Sequence, residues 1–331
     1  MKSNRFLGII FLLVAAFLWG STFVAQAETG VGPFTYLAMR SIIAVVFLLP
    51  IIIVKDYHNI KKCGRQPVKR GTYKVLLIGG LVCGGALFVA SALQQIGIDQ
   101  GTTAGKAGFI TALYILGVPV LGLFFKKKVS PLIWFCVALA VSGLFLLCMT
   151  GNVAEFSFCA FFSKETFSQL SFNTCDIYVL FSAVGYSLQI MAIDKYSPKV
   201  DCIKLSFLQF SVTAVLSLIA MFILEKPVMS DILDSWISIL YAGILSSGVA
   251  YTLQILGQKY TPPTIASMLM SLESAFAVLS AIVFSSLVSG VPELPTGYEW
   301  IGIILMFSAI MISQLPQKKE HMIKKNGDNP L

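Results

Sequence analysis

Charge is scarce in this sequence. Only 12% of its 331 residues are Asp, Glu, Lys or Arg, about half of what a soluble domain carries. A chain this long with so few charges cannot coat a globule. That excludes a soluble enzyme, a disordered chain and a nucleic-acid module. Histidine is nearly absent, with His58 and His321 far apart in polar stretches. The seven cysteines form no CxxC pair. These shortages give no reason to expect a metal site or a cofactor. No GxxxxGK[ST] phosphate loop is present either, and no soluble stretch is large enough to hold one.

Apolar residues are what the chain has in abundance. They make up 56% of it, and the mean hydropathy is +0.83. They fall in runs separated by short polar connections. Five runs occupy Phe6–Gln26, Phe34–Val54, Val75–Ile96, Thr103–Phe125 and Leu132–Met149. Five more occupy Ile177–Ile193, Cys202–Leu224, Trp236–Leu256, Thr264–Val288 and Trp300–Leu315. Each can cross a hydrocarbon core of about 30 Å at about 1.5 Å per residue. Backbone groups in lipid must satisfy one another, so the runs are predicted as helices. The expected fold class is an all-α integral membrane protein with ten transmembrane helices.

The net charge of +8 matters less than its placement. With a cytoplasmic N-terminus, 20 of the 24 Lys and Arg fall inside, from Lys2 and Arg5 to the basic tail. Lys164 and Lys226 fall outside, and Arg40 and Lys106 lie within spans. This bias predicts a multi-pass protein of the cell membrane with both termini cytoplasmic. Lys2, Arg5, the first apolar run and Ala25-Gln26-Ala27 imitate a cleaved secretory signal. Its removal would break the charge alternation, so a retained first helix is expected.

The spans divide into two fives. Ala92-Leu93-Gln94-Gln95-Ile96-Gly97 aligns with Thr252-Leu253-Gln254-Ile255-Leu256-Gly257 at an offset of 160 residues. Leu37–Ser41 aligns with Ser206–Phe210 in the second and seventh spans. A five-helix unit has an odd number of crossings, so a tandem copy must be inverted. The expected organisation is one repeat over 1–150, an extracytoplasmic loop over 151–175, a second repeat over 176–315 and a basic tail over 316–331. Cys159 and Cys175 of the loop face the compartment where a disulfide is permitted.

Particular residues carry a resemblance to a known family. They are Leu18-Trp19-Gly20-Ser21-Thr22-Phe23, Arg40, Gly105–Tyr114 with Val118-Pro119, and Leu272-Glu273 before an apolar run. In these the chain resembles the EamA-type transporters of the drug/metabolite transporter superfamily, over about 8–315. The resemblance implies ten helices in two inverted five-helix repeats, and export of amino acids or related metabolites. The family pattern carries Pro after the second-half Glu. This chain has Ser274 there, which removes the proline that would break the ninth helix.

Ionisable side chains inside a membrane span are costly and become functional candidates. Arg40, Lys106 and Glu273 are the three. Lys106 lies about one helical turn below the outer surface and Arg40 about two, while Glu273 lies about 15 Å from the inner surface. Lys106 and Glu273 fall on equivalent stripes of the fourth and ninth spans. Arg40 and Lys106 would suit a carboxylate, and Glu273 an amine or a transported proton. In the competing reading, the two cations reach back to the interface and Glu273 is a neutral acid bonded between helices. Gln94 and Gln254 are repeat equivalents suited to substrate contact or helix–helix bonding. Trp19 and Tyr114 would wall a pocket. Pro119 is a candidate hinge in the fourth helix.

The function expected is secondary transport of small metabolites outward by alternating access, without cofactor or enzymatic activity. Efflux of amphipathic cations or flipping of a lipid precursor is the alternative. The partners are a small-molecule substrate and the lipid bilayer, not nucleic acid, and a monomer suffices to enclose a pathway.

Overall fold

The computed structural model describes residues 2–26, 31–63, 70–102, 104–126, 129–149, 174–288 and 294–315, and every regular element among them is helical. The first five apolar runs form α1 (Lys2–Gln26), α2 (Pro33–Cys63), α3 (Arg70–Asp99), the pair α4 (Ala104–Ala112) and α5 (Tyr114–Phe124), and α6 (Pro131–Met149). The second five begin with α7 (Thr174–Tyr196) and α8 (Cys202–Leu224). After a short α9 (Met229–Asp234), the eighth run is divided into α10 (Trp236–Tyr241), a π-helical segment Ala242–Ala250 and α11 (Tyr251–Gln258). The ninth is divided into α12 (Pro263–Met270) and α13 (Glu273–Val288), and α14 (Gly297–Ser313) is the tenth. Among the described residues, eight helical stretches are long and apolar enough to span a membrane; Pro131–Leu147 and Gly297–Ser313 are apolar but shorter. The loop 151–173, Cys159, Lys164 and the tail from 316 lie outside the described residues. The Cys175 thiol donates to the Gln100 carbonyl at 3.1 Å.

Helix starts follow from local chemistry. Pro33, Pro131 and Pro263 open α2, α6 and α12, where a missing N–H costs nothing. Asp201 caps α8 by accepting from the backbone N–H of Ile203 and Lys204 at 3.0 and 3.2 Å. Thr296 and Glu299 form a capping box at α14. The start of α2 is capped in trans: the Glu225 carboxylate, just past α8, accepts from Phe34 N, Thr35 N and Thr35 Oγ1 at 2.7, 2.8 and 2.6 Å.

The helices pair in a pattern that repeats when the two halves are exchanged. α3 packs on α7 as α11 does on α1; α3 packs on α8 as the π segment does on α2. α4 and α5 pack on α7 as α12 and α13 do on α1. The equivalents α2 and α8 pack on each other, as do α6 and α14. Close crossings obey the same exchange. A Cβ on Gly84 would lie 2.5 Å from the Gln209 carbonyl and 2.7 Å from Val212 Cβ, and one on Gly243 would lie 2.6 Å from Ile43 Cβ and 3.2 Å from the Arg40 carbonyl. Gly97 abuts Cys175 and Val179 as Gly257 abuts Gly8 and Leu12. Gly143 and Gly302 face one another, each glycine's missing Cβ lying within 2.7 Å of the other's carbonyl. The largest buried core joins Leu12, Ile115, Leu144, Met268 and Met306 from five helices. Outward-facing Val46, Phe124, Phe222, Ile223 and Met311 are exposed, as lipid-facing positions should be.

Candidate functional site

Two helices break in the middle of the molecule. In the fourth span the Leu113 N–H bonds to the Ile110 carbonyl, an i−3 contact, and α5 starts at the next residue. In the ninth, Leu272 N–H reaches Leu269 and Ser274 N–H reaches Ser271, both at 3.4 Å. Local 3₁₀ tightening of this kind ends one helix and starts another on a new axis. Under the repeat register Leu113 corresponds to Glu273, so the two breaks match. The ninth helix breaks although Ser274 stands where the family pattern carries a proline. Pro119 lies six residues beyond the fourth-span break, buried within α5.

The breaks open onto a central cavity of about 730 Å³, part of it open to solvent. Trp19 and Thr22 line it from α1, Arg40 from α2, and Gln94, Gln95 and Ile98 from α3. Thr111 and Tyr114 flank the first break, Met270 and Glu273 the second. Tyr186, Gln189 and Ile190 come from α7, Ser246 from the π segment, and Tyr251 and Gln254 from α11. Trp19, Arg40, Gln94, Tyr114, Gln254 and Glu273 are thus brought together on one wall system. The Lys106 side chain lies outside the described residues.

Arg40 does not reach back to an interface. It is 8% exposed. Its Nε donates to Ser247 Oγ at 2.9 Å and its Nη2 to Ser246 Oγ at 3.4 Å. The guanidinium carbon sits 5.9 Å from the Tyr36 ring centroid, within cation–π range. No carboxylate pairs with it among the described residues. The π segment explains how two successive serines serve one guanidinium: a wider turn changes where consecutive side chains point. Ser246 and Ser247 were invisible to sequence reading, because a Ser-Ser-Gly run in an apolar helix carries no π signature.

The polar wall holds two hydrogen-bonded chains. Gln94 Nε2 donates to Thr111 Oγ1 at 3.0 Å, and its Oε1 accepts from Tyr186 OH at 2.9 Å. Gln254 Nε2 donates to Gln189 Oε1 at 3.2 Å, and Gln189 Nε2 to Gln209 Oε1 at 3.3 Å. Both members of the Gln94/Gln254 pair therefore bond between helices while facing the cavity. Two atoms of lining residues remain buried with no partner among the described residues: Trp19 Nε1, a donor, and Gln254 Oε1, an acceptor. No hydrogen bond or ion pair reaches the Glu273 carboxylate among the described residues. Trp19 and Tyr251 meet edge to face at 4.8 Å between centroids. Tyr251 also meets Phe210 at 5.3 Å. No cluster of His, Cys, Asp or Glu able to hold a metal occurs among the described residues.

A bundle of apolar helices around a central chamber, with polar side chains turned inward and large apolar ones outward, defines a multi-pass membrane protein. The chain belongs to the EamA-like transporter family of the drug/metabolite transporter superfamily, whose family model matches residues 6–149 and 173–314. It is similar to an uncharacterized transporter of Archaeoglobus fulgidus, 27% identical over 92% of this chain and 84% of that one. It is also similar to the uncharacterized transporter YwfM of Bacillus subtilis, 25% identical over 97% of both chains. A chain of known crystal structure, 20% identical, superposes with a TM-score of 0.66 over 93% of this chain and 96% of that one. That likeness concerns the fold.

Proposed function

We propose that the protein is a secondary active transporter that exports small metabolites, amino acids or related compounds, across the cytoplasmic membrane by alternating access. The observation that carries this is the charge arrangement of the cavity. Among the described residues, Arg40 is held only by neutral hydroxyls and an aromatic ring and Glu273 is free of protein partners, and both line the same chamber. A guanidinium offers a carboxylate paired N–H donors, and a carboxylate offers an amine its charge. A zwitterion supplies both. Lys106 remains a candidate second cation at the outer mouth.

Ten spans in two inverted five-helix repeats, over 1–150 and 176–315 with both termini cytoplasmic, are the architecture of this reading. The exchange-related helix pairings, the matched breaks and the two stretches matched by the family model support it. Without an ATP-binding motif in the sequence, the energy comes from a gradient. Glu273 is the group proposed to carry the coupled proton, and a monomer suffices to enclose the pathway.

Counterflow in proteoliposomes tests the reading. Vesicles loaded with one unlabelled amino acid at a time should accumulate the labelled partner. Arg40→Gln should abolish accumulation, and Glu273→Gln should remove its pH dependence. PH dependence surviving intact in Glu273→Gln would dismiss the coupling role. Exchange of amphipathic cations, with no amino acid active and Arg40→Gln silent, would favour the drug-efflux alternative, for which the aromatic wall of Trp19, Tyr114, Tyr186 and Tyr251 is suited.

A further inference from the structure

The two sides of the helix breaks are not packed alike. On one side α5 lies against α12, and Ile115, Val118, Ile265 and Leu269 join a single buried core. On the other side α4 packs on α3, α6 and α7, and α13 packs on α1 and α6, but neither packs appreciably on the other among the described residues. The cavity reaches toward that looser side, where Gln95 and Ile98 of α3 line it, both partly exposed.

The repeat register pairs Gln95 with Ile255 and Ile98 with Gln258. These mates, on α11, are shut away: Ile255 is 0% and Gln258 2% exposed. Both amide atoms of Gln258 are buried without a hydrogen-bond partner among the described residues. Thr261 Oγ1, nearly one turn further on, is in the same condition. Burying an amide with neither donor nor acceptor satisfied is costly, and a leucine would fill a similar volume without that cost. An amide with no partner in this conformation is free to take one in another.

We infer that Gln258 lines a second passage, closed in this structure by the α5–α12 packing, and offers its amide to the substrate once that packing opens. The inference rests on the two-repeat carrier reading above. In an inverted repeat, the opposite state arises when the halves exchange conformations. The end of α11 then takes the surroundings that the end of α3 has here. Contacts already present in both halves survive the exchange, and those present in one half change sides. The Ile98 mouth closes as the Gln258 passage opens.

Single cysteines test this in the full-length chain with its seven native cysteines replaced, reconstituted in vesicles and labelled with N-ethylmaleimide. Ile98→Cys should label about tenfold faster than Gln258→Cys. Adding Leu269→Trp overfills the α5–α12 contact. It should raise the Gln258→Cys rate about tenfold and lower the Ile98→Cys rate. If overfilling unfolds the protein and both rates rise, Val118→Ser, which weakens the same contact without added volume, decides by the same reciprocal change. Equal rates in the unaltered seal, or a Gln258→Cys rate that does not move when Val118→Ser is added, would overturn the inference. The rates are read without substrate, so failure of amino acid counterflow leaves them standing. Full counterflow with Gln258→Cys unreactive throughout would overturn this inference alone.

Discussion

The α2–α8 pair and the pair formed by the fourth and ninth spans are built on opposite plans. α2 and α8 are fastened at both ends. At one end Glu225 caps α2 with three hydrogen bonds. At the other, Lys55 pairs with Asp201 at 2.5 Å and Lys204 with Asp56 at 2.8 Å. The fourth and ninth spans are fastened on one side of their breaks only, through α5 and α12. A contact that is its own counterpart at both ends is indifferent to an exchange of the two halves. A contact made at one end must be remade at the other. Under the proposed exchange the first pair is the fixed spine and the second the part that moves.

Tethering gives the largest expected contrast. A short bifunctional maleimide joining Val118→Cys to Leu269→Cys should abolish counterflow. The same reagent joining Asp56→Cys to Lys204→Cys should leave the rate within about twofold, the behaviour of a contact present in both states. Loss of transport in the second case would turn the spine into a gate.

Next in size is the Glu225 fastening. Glu225→Ala removes the acceptor for two backbone N–H groups and a hydroxyl, and should cost about 1–2 kcal/mol, read as a lower thermal midpoint in detergent. Its counterflow rate at low temperature should be unaffected if the spine only holds.

The hydroxyls under Arg40 come third. Ser246→Ala with Ser247→Ala leaves the guanidinium buried with fewer partners, and should weaken apparent substrate affinity several-fold at a cost of about 1–2 kcal/mol. An unchanged affinity would mean that Arg40 is held in place by Tyr36 and packing alone.

The smallest effect belongs to the ion pairs, whose side chains are about a third exposed. Lys55→Ala should cost less than about 1 kcal/mol. Burial pushes the Asp201 carboxyl up, but the bonds from Lys55, Lys204 N and Ile203 N outweigh it and hold its pKa below the ordinary value. A lowered folded pKa gives stability that is present above the unfolded value of about 4 and lost as pH falls through the folded one. The stability gap between wild type and Asp201→Asn should stay constant above about pH 5 and close in acid.

The legible parts of this molecule were those written in composition and period. Long apolar runs located the helices because lipid leaves the backbone no other choice. The Gln94–Gly97 and Gln254–Gly257 match pointed to equivalent helices, and both glycines turned out to sit at close crossings. Scarcity alone made Arg40 and Glu273 stand out, and both line the cavity. The breaks were not legible. The fourth span breaks at Leu113 and not at Pro119, and the ninth breaks with no proline at all. A helix can be interrupted by what its neighbours require, with no local breaker residue. Gln258 escaped for a related reason: a glutamine at a span's end looks like an interfacial residue until its burial is seen.

The π segment has one further consequence, and it concerns counting. Gly84 and its counterpart Gly243 are 159 residues apart, whereas Gly97 and Gly257, further along the same two spans, are 160 apart. The π segment Ala242–Ala250 contains Gly243 and runs toward Gly257. The second half has gained one residue there, and a π turn is the form in which a helix absorbs an extra residue without losing its axis. The insertion falls beside the Arg40 carbonyl and delivers Ser246 and Ser247 to its side chain. That one residue leaves the two halves unlike, with a cation cradle of Ser246 and Ser247 in one that has no counterpart in the other.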